Sequence, residues 1–222
     1  MKILIFGATG MVGLGVLREC LLADDVTSVT TIGRTPLGQT HAKLHDITTP
    51  DLFALDAQML DGFDACYFCL GALSGQMSEA AYTKLTYDLT LDIATKLATL
   101  NPAMTFVYVS GIGTDSSEQG KTMWARVKGR TENALRALPF KGVYLFRPGA
   151  ILSLNGEQSK TKIYRRVYSV IGWLLRLLRP VARGYVLTST EVGTAMLHVT
   201  RAGWSPQVME PRDIQRAAAA AR

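Results

Sequence analysis

Three glycines that follow a short apolar run constrain the fold of this chain more than any other feature. Gly7, Gly10 and Gly13 come directly after the strand-like run KILIF and open a segment with the apolar spacing of a helix. In this order of elements, the first glycine permits a tight turn, the second lets the backbone approach a pyrophosphate, and the third lets the helix pack closely on the sheet. The turn therefore predicts a nucleotide site at the amino end of the helix, and the alternative is a glycine turn without a ligand.

Short apolar runs rich in β-branched residues alternate with longer helical patterns as far as Phe146. This alternation is typical of βαβ units, and the runs are apolar throughout, as strands buried on both faces require. We therefore predict an α/β fold, a doubly wound parallel sheet (Rossmann fold) with helices on both faces. Helices are predicted near residues 79–100, 121–138, 190–202 and 211–221, and the alanine run that ends the last one is interpreted as a frayed tail.

The positive charge of the chain is concentrated in residues 121–183. Residues 121–183 contain 14 Lys and Arg against 2 Asp and Glu, whereas residues 1–120 contain 6 against 13. Such a block can face an anionic cofactor, a phospholipid surface or nucleic acid, but no recognition motif accompanies the charge, so we expect no nucleic-acid partner. The length of 222 residues favours a single domain over residues 1–222.

Residues 162–179 have the pattern of a basic amphipathic helix, with apolar side chains at spacings of three and four. We expect this helix to belong to a small basic C-terminal lobe or lid, residues 150–187, on the substrate side of the protein. The apolar stripe of the helix could cover the substrate cleft or pack into the domain. The alternatives are contact with a second copy in a homodimer and contact with an anionic membrane surface.

The sequence also bears on the cellular compartment and on metal binding. The N-terminal apolar run is too short for a signal peptide, no run of about twenty apolar residues is present, and three cysteines suit a reducing compartment, so we expect a cytoplasmic protein. Cys66 and Cys69 form a C-x-x-C, but residues three apart on a strand face opposite sides, so we interpret both as core residues. The three histidines lack metal-ligand spacing, and we predict no metal site.

The end of the second predicted strand, TSVTTIGRTP, bears on which nucleotide is bound. An NAD site has Asp or Glu about twenty residues after the glycines, where the carboxylate holds the ribose hydroxyls. Gly33 and Arg34 occupy this place. A guanidinium matches a 2′-phosphate, so the sequence favours NADP(H) over NAD(H), and the alternative is a solvent-exposed loop arginine.

Several motifs together resemble the atypical, extended-type short-chain dehydrogenase/reductase superfamily. They are the glycine turn, the strand VYVS that ends at Ser110, Lys128 on the next helix, and Phe146-Arg147-Pro148-Gly149. The stretches FCLGALSG, YTKLTYDLT and MWARVKGRTENAL are similar to those of bacterial NAD-dependent epimerase/dehydratase-like proteins related to the Tat-interacting oxidoreductase-like protein. The likeness covers nearly the whole chain.

The resemblance implies a sheet of order 3-2-1-4-5-6 with the cofactor along the carboxyl ends of the strands. It implies that Lys128 holds the nicotinamide ribose and that Ser110 faces the substrate, which makes Ser110 and Lys128 the candidate catalytic residues. Alternatively, Ser110 caps a turn and Lys128 is a solvated helix lysine. The full set of candidate cofactor-binding residues includes the glycine turn and Arg34. It consists of Gly7, Thr9, Gly10, Met11, Val12, Gly13, Arg34, Asp46, Ile47, Leu70, Gly71, Lys128 and Pro148.

One residue departs from the family pattern. Trp124 stands four residues before Lys128, where the superfamily has the tyrosine that exchanges a proton with the substrate. An indole N–H donates a hydrogen bond but cannot exchange its proton near neutral pH. Either the proton comes from elsewhere, through Ser110, a lysine-bound water, or one of Tyr82, Tyr87 and Tyr108, or the site binds cofactor without turnover.

Two functions therefore remain open. The first is an NADP(H)-dependent oxidoreductase that acts on a small carbonyl or alcohol substrate with non-standard proton transfer. The second is a non-catalytic, NADP(H)-binding regulatory or scaffold protein, associated with a membrane or partner through residues 162–179.

Overall fold

The computed structural model describes residues 1–72, 74–153 and 184–221. The predicted basic helix 162–179, and most of the predicted lobe 150–187, lie outside these residues. The strands are β1 Lys2–Phe6, β2 Ser28–Gly33, β3 Leu44–Thr48, β4 Ala65–Phe68, β5 Thr105–Val109, β6 Gly142–Phe146, β7 Ala150–Leu152, β8 Val186–Thr188 and β9 Val208–Met209. The α-helices of the described ranges, numbered in chain order, are α1 Met11–Leu22, α2 Glu79–Thr83, α3 Leu89–Leu100, α4 Met123–Arg136, α5 Ser189–Ala202 and α6 Pro211–Ala220.

Within the described ranges, seven parallel strands form the main sheet in the order β3-β2-β1-β4-β5-β6-β9. This confirms the predicted doubly wound order, to which β9 adds one strand beyond β6. β7 and β8 pair with each other in a separate parallel ribbon. Because all strands of the main sheet run the same way, their carboxyl ends meet at one edge, and the loops that follow them line one side of the molecule.

Helices cover both faces of the sheet, as predicted. α1, α5 and α6 pack on one face, and α3 and α4 pack on the other. Cys66 lies in the core of the second face and Cys69 packs against the core of the first, so the C-x-x-C does not form a pair on one side. The frayed tail expected at the C-terminus is wrong for its first residues, since Ala217 and Ala218 are buried under the sheet.

The predicted helix 79–100 is interrupted by one π-helical turn, Lys84–Asp88, between α2 and α3. The two ends of this region are fixed as the sequence suggests: Ser78 caps α2 by accepting from the backbone N–H of Ala81, and Pro102 follows the last turn of α3. None of the helices in the described ranges is long and apolar enough to cross a membrane.

α1 and α5 cross in close contact at two glycines. A Cβ added to Gly15 would lie 2.4 Å from the Cβ of Ser189, and one added to Gly193 would lie 3.2 Å from the Cα of Val16. Only glycine permits this approach, because real Cβ contacts are longer. The helix that follows the glycine turn is therefore held directly by α5.

Candidate functional site: the carboxyl ends of the strands

The glycine turn forms a tight cradle between β1 and α1. Gly7 has a φ of +79°, and a Cβ there would lie 2.7 Å from the backbone of Cys69 and Leu70. A Cβ on Gly13 would lie 2.2 Å from the carbonyl oxygen of Gly7. Gly10 donates its N–H to that same carbonyl at 3.0 Å. The chain thus needs glycine at Gly7 for conformation and space, and at Gly13 for space.

The amino end of α1 lies open above this cradle. Its N-cap residue, Gly10, has no side chain to cap the helix, and the first turn contains no acidic residue. The first N–H groups of a helix have no partner within the helix, and the helix dipole adds positive potential there. Met11 and Val12 turn their side chains toward the core, so they contribute backbone rather than side chains to the turn. These features fit a pyrophosphate.

A cavity of about 540 Å³ opens beside the glycine turn, at the carboxyl ends of β1, β2 and β4. Seven of the predicted cofactor-binding residues line it, namely Gly7, Thr9, Gly10, Arg34, Asp46, Leu70 and Gly71. The structure thus brings together residues that are up to 64 positions apart in sequence. Of the predicted residues outside this lining, Ile47 packs against the core on the far face of the sheet.

Arg34 and Asp46 occupy the part of the cavity next to β2 and β3. Arg34 is exposed directly after β2, and within the described residues its guanidinium has no hydrogen-bond or ion-pair partner. Asp46 has both carboxylate oxygens engaged, since Oδ1 accepts from Thr31 Oγ1 at 2.7 Å and Oδ2 accepts from Leu37 N at 2.8 Å. The Asp46 carboxylate therefore holds the loop that carries Arg34.

A second cavity, of about 260 Å³, continues from the first and shares Arg34, Leu52, Leu70 and Gly71 with it. Its remaining walls come from the loop after β3 and from the helical region, with Phe53, Leu85 and Leu89 as the large apolar side chains. An apolar slot beside an arginine suits a flat aromatic ring that carries a phosphate nearby. The two cavities together thus provide an apolar slot, an arginine and the glycine turn side by side.

Lys128 and Ser110 meet at the carboxyl end of β5. The Lys128 ammonium donates to the carbonyl oxygen of Ser110, and burial lowers the pKa of Lys128 to about 8, although the charge of Glu132 works in the opposite direction. The Ser110 hydroxyl donates to Glu132 Oε1 at 2.5 Å, and the Phe146 carbonyl oxygen lies 3.2 Å from the same Oγ. The hydroxyl is thus directed into the protein, and a substrate-facing role for Ser110 stays a prediction.

A buried charge network lies behind these two residues. Glu132 is 1% exposed, and it accepts from Arg147 Nε at 3.1 Å and 3.2 Å. Arg147 also donates to Ser116 Oγ at 2.5 Å and to Glu210 Oε1 at 3.4 Å. Burial works to lower the pKa of Arg147, but the hydrogen bonds and charges of Glu132 and Glu210 raise it overall. Pro148, the predicted cofactor contact, follows Arg147 in the chain. Its carbonyl oxygen accepts from the backbone N–H of Ile112 at 3.0 Å.

The side chains considered as proton donors have different surroundings. Tyr82 and Tyr108 are each 1% exposed, and burial raises the pKa of both phenols above the usual range. The Tyr87 ring is stacked under Arg130, whose guanidinium carbon lies 4.2 Å from the ring centroid. The Trp124 ring lies near the loop after β5, since a Cβ added to Gly113 would be 3.6 Å from it. Neither phenol of the buried pair is suited to exchange a proton near neutral pH.

Sequence reasoning missed Thr31, Leu37, Glu132 and Arg147 as parts of the site. One signal was available, since Glu132 stands four residues after Lys128 and therefore shares its helix face. Arg147 was noted as part of a motif but without its partner. Among the described residues, no three His, Cys, Asp or Glu side chains come together as a metal-binding group.

Comparison with known proteins finds relatives of similar sequence and solved structures of similar fold. No family model matches the chain. It is 29% identical over 206 residues to Protein HTATIP2 of Rattus norvegicus, covering 89% of this chain and 80% of that protein. It is 24% identical over 205 residues to Protein FMP52, mitochondrial, of Debaryomyces hansenii, covering 90% and 87%. Its fold matches the UDP-glucuronic acid 4-epimerase of Bacillus cereus in complex with NAD, with a TM-score of 0.66, 13% identity, and coverage of 90% and 73%.

These likenesses confirm the resemblance to the atypical short-chain dehydrogenase/reductase superfamily that the glycine turn and the motifs around Lys128 indicate. The chain has a Rossmann fold, which it shares with the NAD-binding epimerase. The expectation of a cytoplasmic location is wrong, because the FMP52 relatives of Scheffersomyces stipitis and Debaryomyces hansenii are named as mitochondrial proteins.

Proposed function

We propose that this protein is an atypical short-chain dehydrogenase/reductase that binds NADP(H) in preference to NAD(H) and acts as an oxidoreductase on a small carbonyl or alcohol substrate. The observation that carries the proposal is the exposed guanidinium of Arg34 on the wall of the nucleotide cavity. No Asp or Glu follows β2 at this place, and the nearby Asp46 carboxylate is engaged by Thr31 and Leu37. A free guanidinium beside a carboxylate whose two oxygens already accept hydrogen bonds favours a 2′-phosphate over a bare hydroxyl.

The cofactor would supply or accept hydride when bound. The residues of the chain would bind the cofactor and hold the proton. The glycine turn and the amino end of α1 hold the pyrophosphate, and Arg34 holds the ribose phosphate. Lys128 holds a proton at its Nζ, at the carboxyl end of β5, with a pKa of about 8. An ammonium with this pKa can release its proton near neutral pH, directly or through a bound water, whereas Trp124 cannot.

Turnover with NADPH tests the proposal. The purified protein is incubated with NADPH and a panel of aldehydes, ketones and quinones, and the loss of reduced-cofactor absorbance is followed. We expect oxidation of NADPH with at least one substrate class and its loss in Lys128→Ala. Saturable NADPH binding without oxidation of NADPH by any compound in the panel would contradict the oxidoreductase assignment.

Trp124 and the buried phenols favour a second candidate function. A protein with this site could bind NADP(H) without turnover and report the state of the cofactor to a partner. This regulatory function predicts different affinities for a partner in the presence of NADP⁺ and NADPH. A small-molecule substrate is part of the first function, and a homodimer or membrane contact through residues 162–179 stays a prediction of both.

A further inference from the structure

Ser110 is held by two side chains from the same helix. Its carbonyl oxygen accepts from Lys128 Nζ, and its hydroxyl donates to Glu132 Oε1 at 2.5 Å. Lys128 and Glu132 are one turn apart on α4 and so project from the same face. The end of β5 is therefore clamped between a cation and an anion that both come from α4.

The anion of this clamp is unusually well enclosed. Glu132 is 1% exposed and shares its carboxylate between Ser110 and the guanidinium of Arg147. Arg147 in turn reaches Ser116 in the loop after β5 and Glu210, the N-cap residue of α6. A buried ion pair adds little net stability, because desolvation offsets most of the attraction. Stability alone is therefore a weak reason for a buried carboxylate at this place.

We infer that Glu132 is a positioning residue for Lys128, which keeps the Lys128 ammonium charged and directed at the Ser110 carbonyl, with Arg147 holding Glu132 in place. The inference rests on the proposed function of Lys128 as the residue that holds the proton. It gives the Glu132 carboxylate a role in orienting the group that holds the proton, at a site where Trp124 stands in place of the usual tyrosine.

The surrounding charges are consistent with this role. Burial lowers the pKa of Lys128, and Glu132 is the charged group that opposes the shift from α4 itself. From β5, the Ser110 carbonyl accepts from Lys128, and Glu132 also acts to raise the pKa of the Tyr108 phenol. From the end of β6, Arg147 donates its N–H groups to Glu132. Among the described residues, Glu132 is the charged group that raises the pKa of Lys128, so its removal would leave the buried ammonium without that compensation.

The titration of Lys128 tests the inference without reference to turnover. Protein labelled with ¹³C-lysine is titrated, and the Lys128 Cε resonance is assigned by its loss in Lys128→Arg. In Glu132→Gln we expect the midpoint of this titration to fall by about one pH unit relative to wild type, since an opposite charge nearby shifts a pKa by roughly 1–3 units. Glu132→Asp, which keeps the carboxylate, should recover part of the shift.

The matched control removes a carboxylate that pairs with another cation of the same helix. Glu79 pairs with Arg126 of α4 at 2.8 Å on the surface, so Glu79→Gln should leave the Lys128 midpoint unchanged. An unchanged midpoint in Glu132→Gln, or an equal fall in Glu79→Gln, would overturn the inference.

Loss of one partner of a buried pair can prevent folding, because the other charge is left buried. The double substitution Glu132→Gln with Arg147→Met removes both charges and provides the second test. The midpoint should again fall, but by less, because a positive charge is lost together with the negative one. NADPH turnover measured on the same samples separates the two proposals. A shifted midpoint in protein that never oxidises NADPH would refute the oxidoreductase assignment and support the electrostatic role of Glu132.

Discussion

The carbonyl oxygen of Gly7 lies where a side chain on Gly13 would have to be, 2.2 Å from the position of a Cβ. The obstacle is backbone and cannot rotate away. We expect Gly13→Ala to destabilise the protein by about 1–3 kcal/mol through overpacking and to weaken nucleotide binding by displacing the turn. Thermal unfolding and NADPH titration measure the two effects. Gly75→Ala is the control, since a Cβ there meets nothing within 4 Å; equal effects of the two substitutions would contradict the close packing of the turn.

Arg34→Ala tests the choice of cofactor. Charged hydrogen bonds contribute about 1.5–3 kcal/mol each, so the affinity for NADPH should fall by roughly 10- to 150-fold. The affinity for NADH should change by less than about threefold, because its ribose carries no 2′-phosphate to desolvate or bind. Calorimetric titration gives both constants. Arg18→Ala, on the exposed side of α1, is the matched control, and equal losses for both cofactors in Arg34→Ala would refute the assignment of NADP(H).

Asp46 supports the same preference indirectly. Asp46→Ala leaves the Thr31 hydroxyl and the Leu37 N–H without their acceptor and should loosen the loop that presents Arg34. We expect the ratio of NADPH to NADH affinity to fall severalfold. Asp46→Asn keeps one carbonyl oxygen for Leu37 and should retain most of the ratio. If the alanine and asparagine variants have the same ratio as wild type, the loop does not depend on this carboxylate.

The dependence of turnover on pH follows from Lys128. The group gives up a proton in the reductive direction, so it must be protonated, and burial has lowered its pKa to about 8. The kcat/KM for carbonyl reduction should be level below this pH and fall about tenfold per pH unit above it. Lys128→Ala should lower kcat/KM by about 10²- to 10⁴-fold at pH 7. A pH profile that stays flat to pH 10 would exclude Lys128 as the source of the proton.

Trp124→Tyr places a phenol one helical turn before Lys128. A tyrosine beside the ammonium can exchange a proton, so turnover of NADPH should appear or rise by at least about tenfold, within the 10²- to 10⁴-fold range of general acid catalysis. Trp204→Tyr, on the other face of the sheet, is the control and should have no such effect. A variant that binds NADPH with unchanged affinity but shows no gain would mean that more than the donor is absent from this pocket.

The glycine turn and the order of the strands were predictable because they depend on local pattern. Most strands up to Phe146 are short apolar runs, and each glycine acts within a few residues of its neighbours. The edge strand β3, Leu44–Thr48, is the exception to the expectation of runs that are apolar throughout, because it is partly exposed and carries polar side chains. The π-helical turn Lys84–Asp88 has no such pattern, since its residues continue the helical spacing on either side. Strands β7, β8 and β9 have two or three residues each, which is too short for alternation or an apolar run to be visible.

The polar half of the site was harder to predict, because it depends on contacts between distant segments. Arg147 and Glu132 are 15 residues apart, and Arg147 and Glu210 are 63 apart. Only the folded sheet brings the end of β6 beside α4 and α6. Ser110 was placed at the right end of β5, but the direction of its hydroxyl is set by the acceptor Glu132, which no motif indicated.

The close crossing of α1 and α5 limits what can stand at two positions. A Cβ at Gly15 would meet the Cβ of Ser189 at 2.4 Å, and one at Gly193 would meet the Cγ of Glu19 at 2.7 Å and the Cα of Val16 at 3.2 Å. Packing this tight leaves little room for adjustment, so a methyl group at either position would push the two helices apart. The helix displaced in this way is the one whose amino end completes the glycine turn.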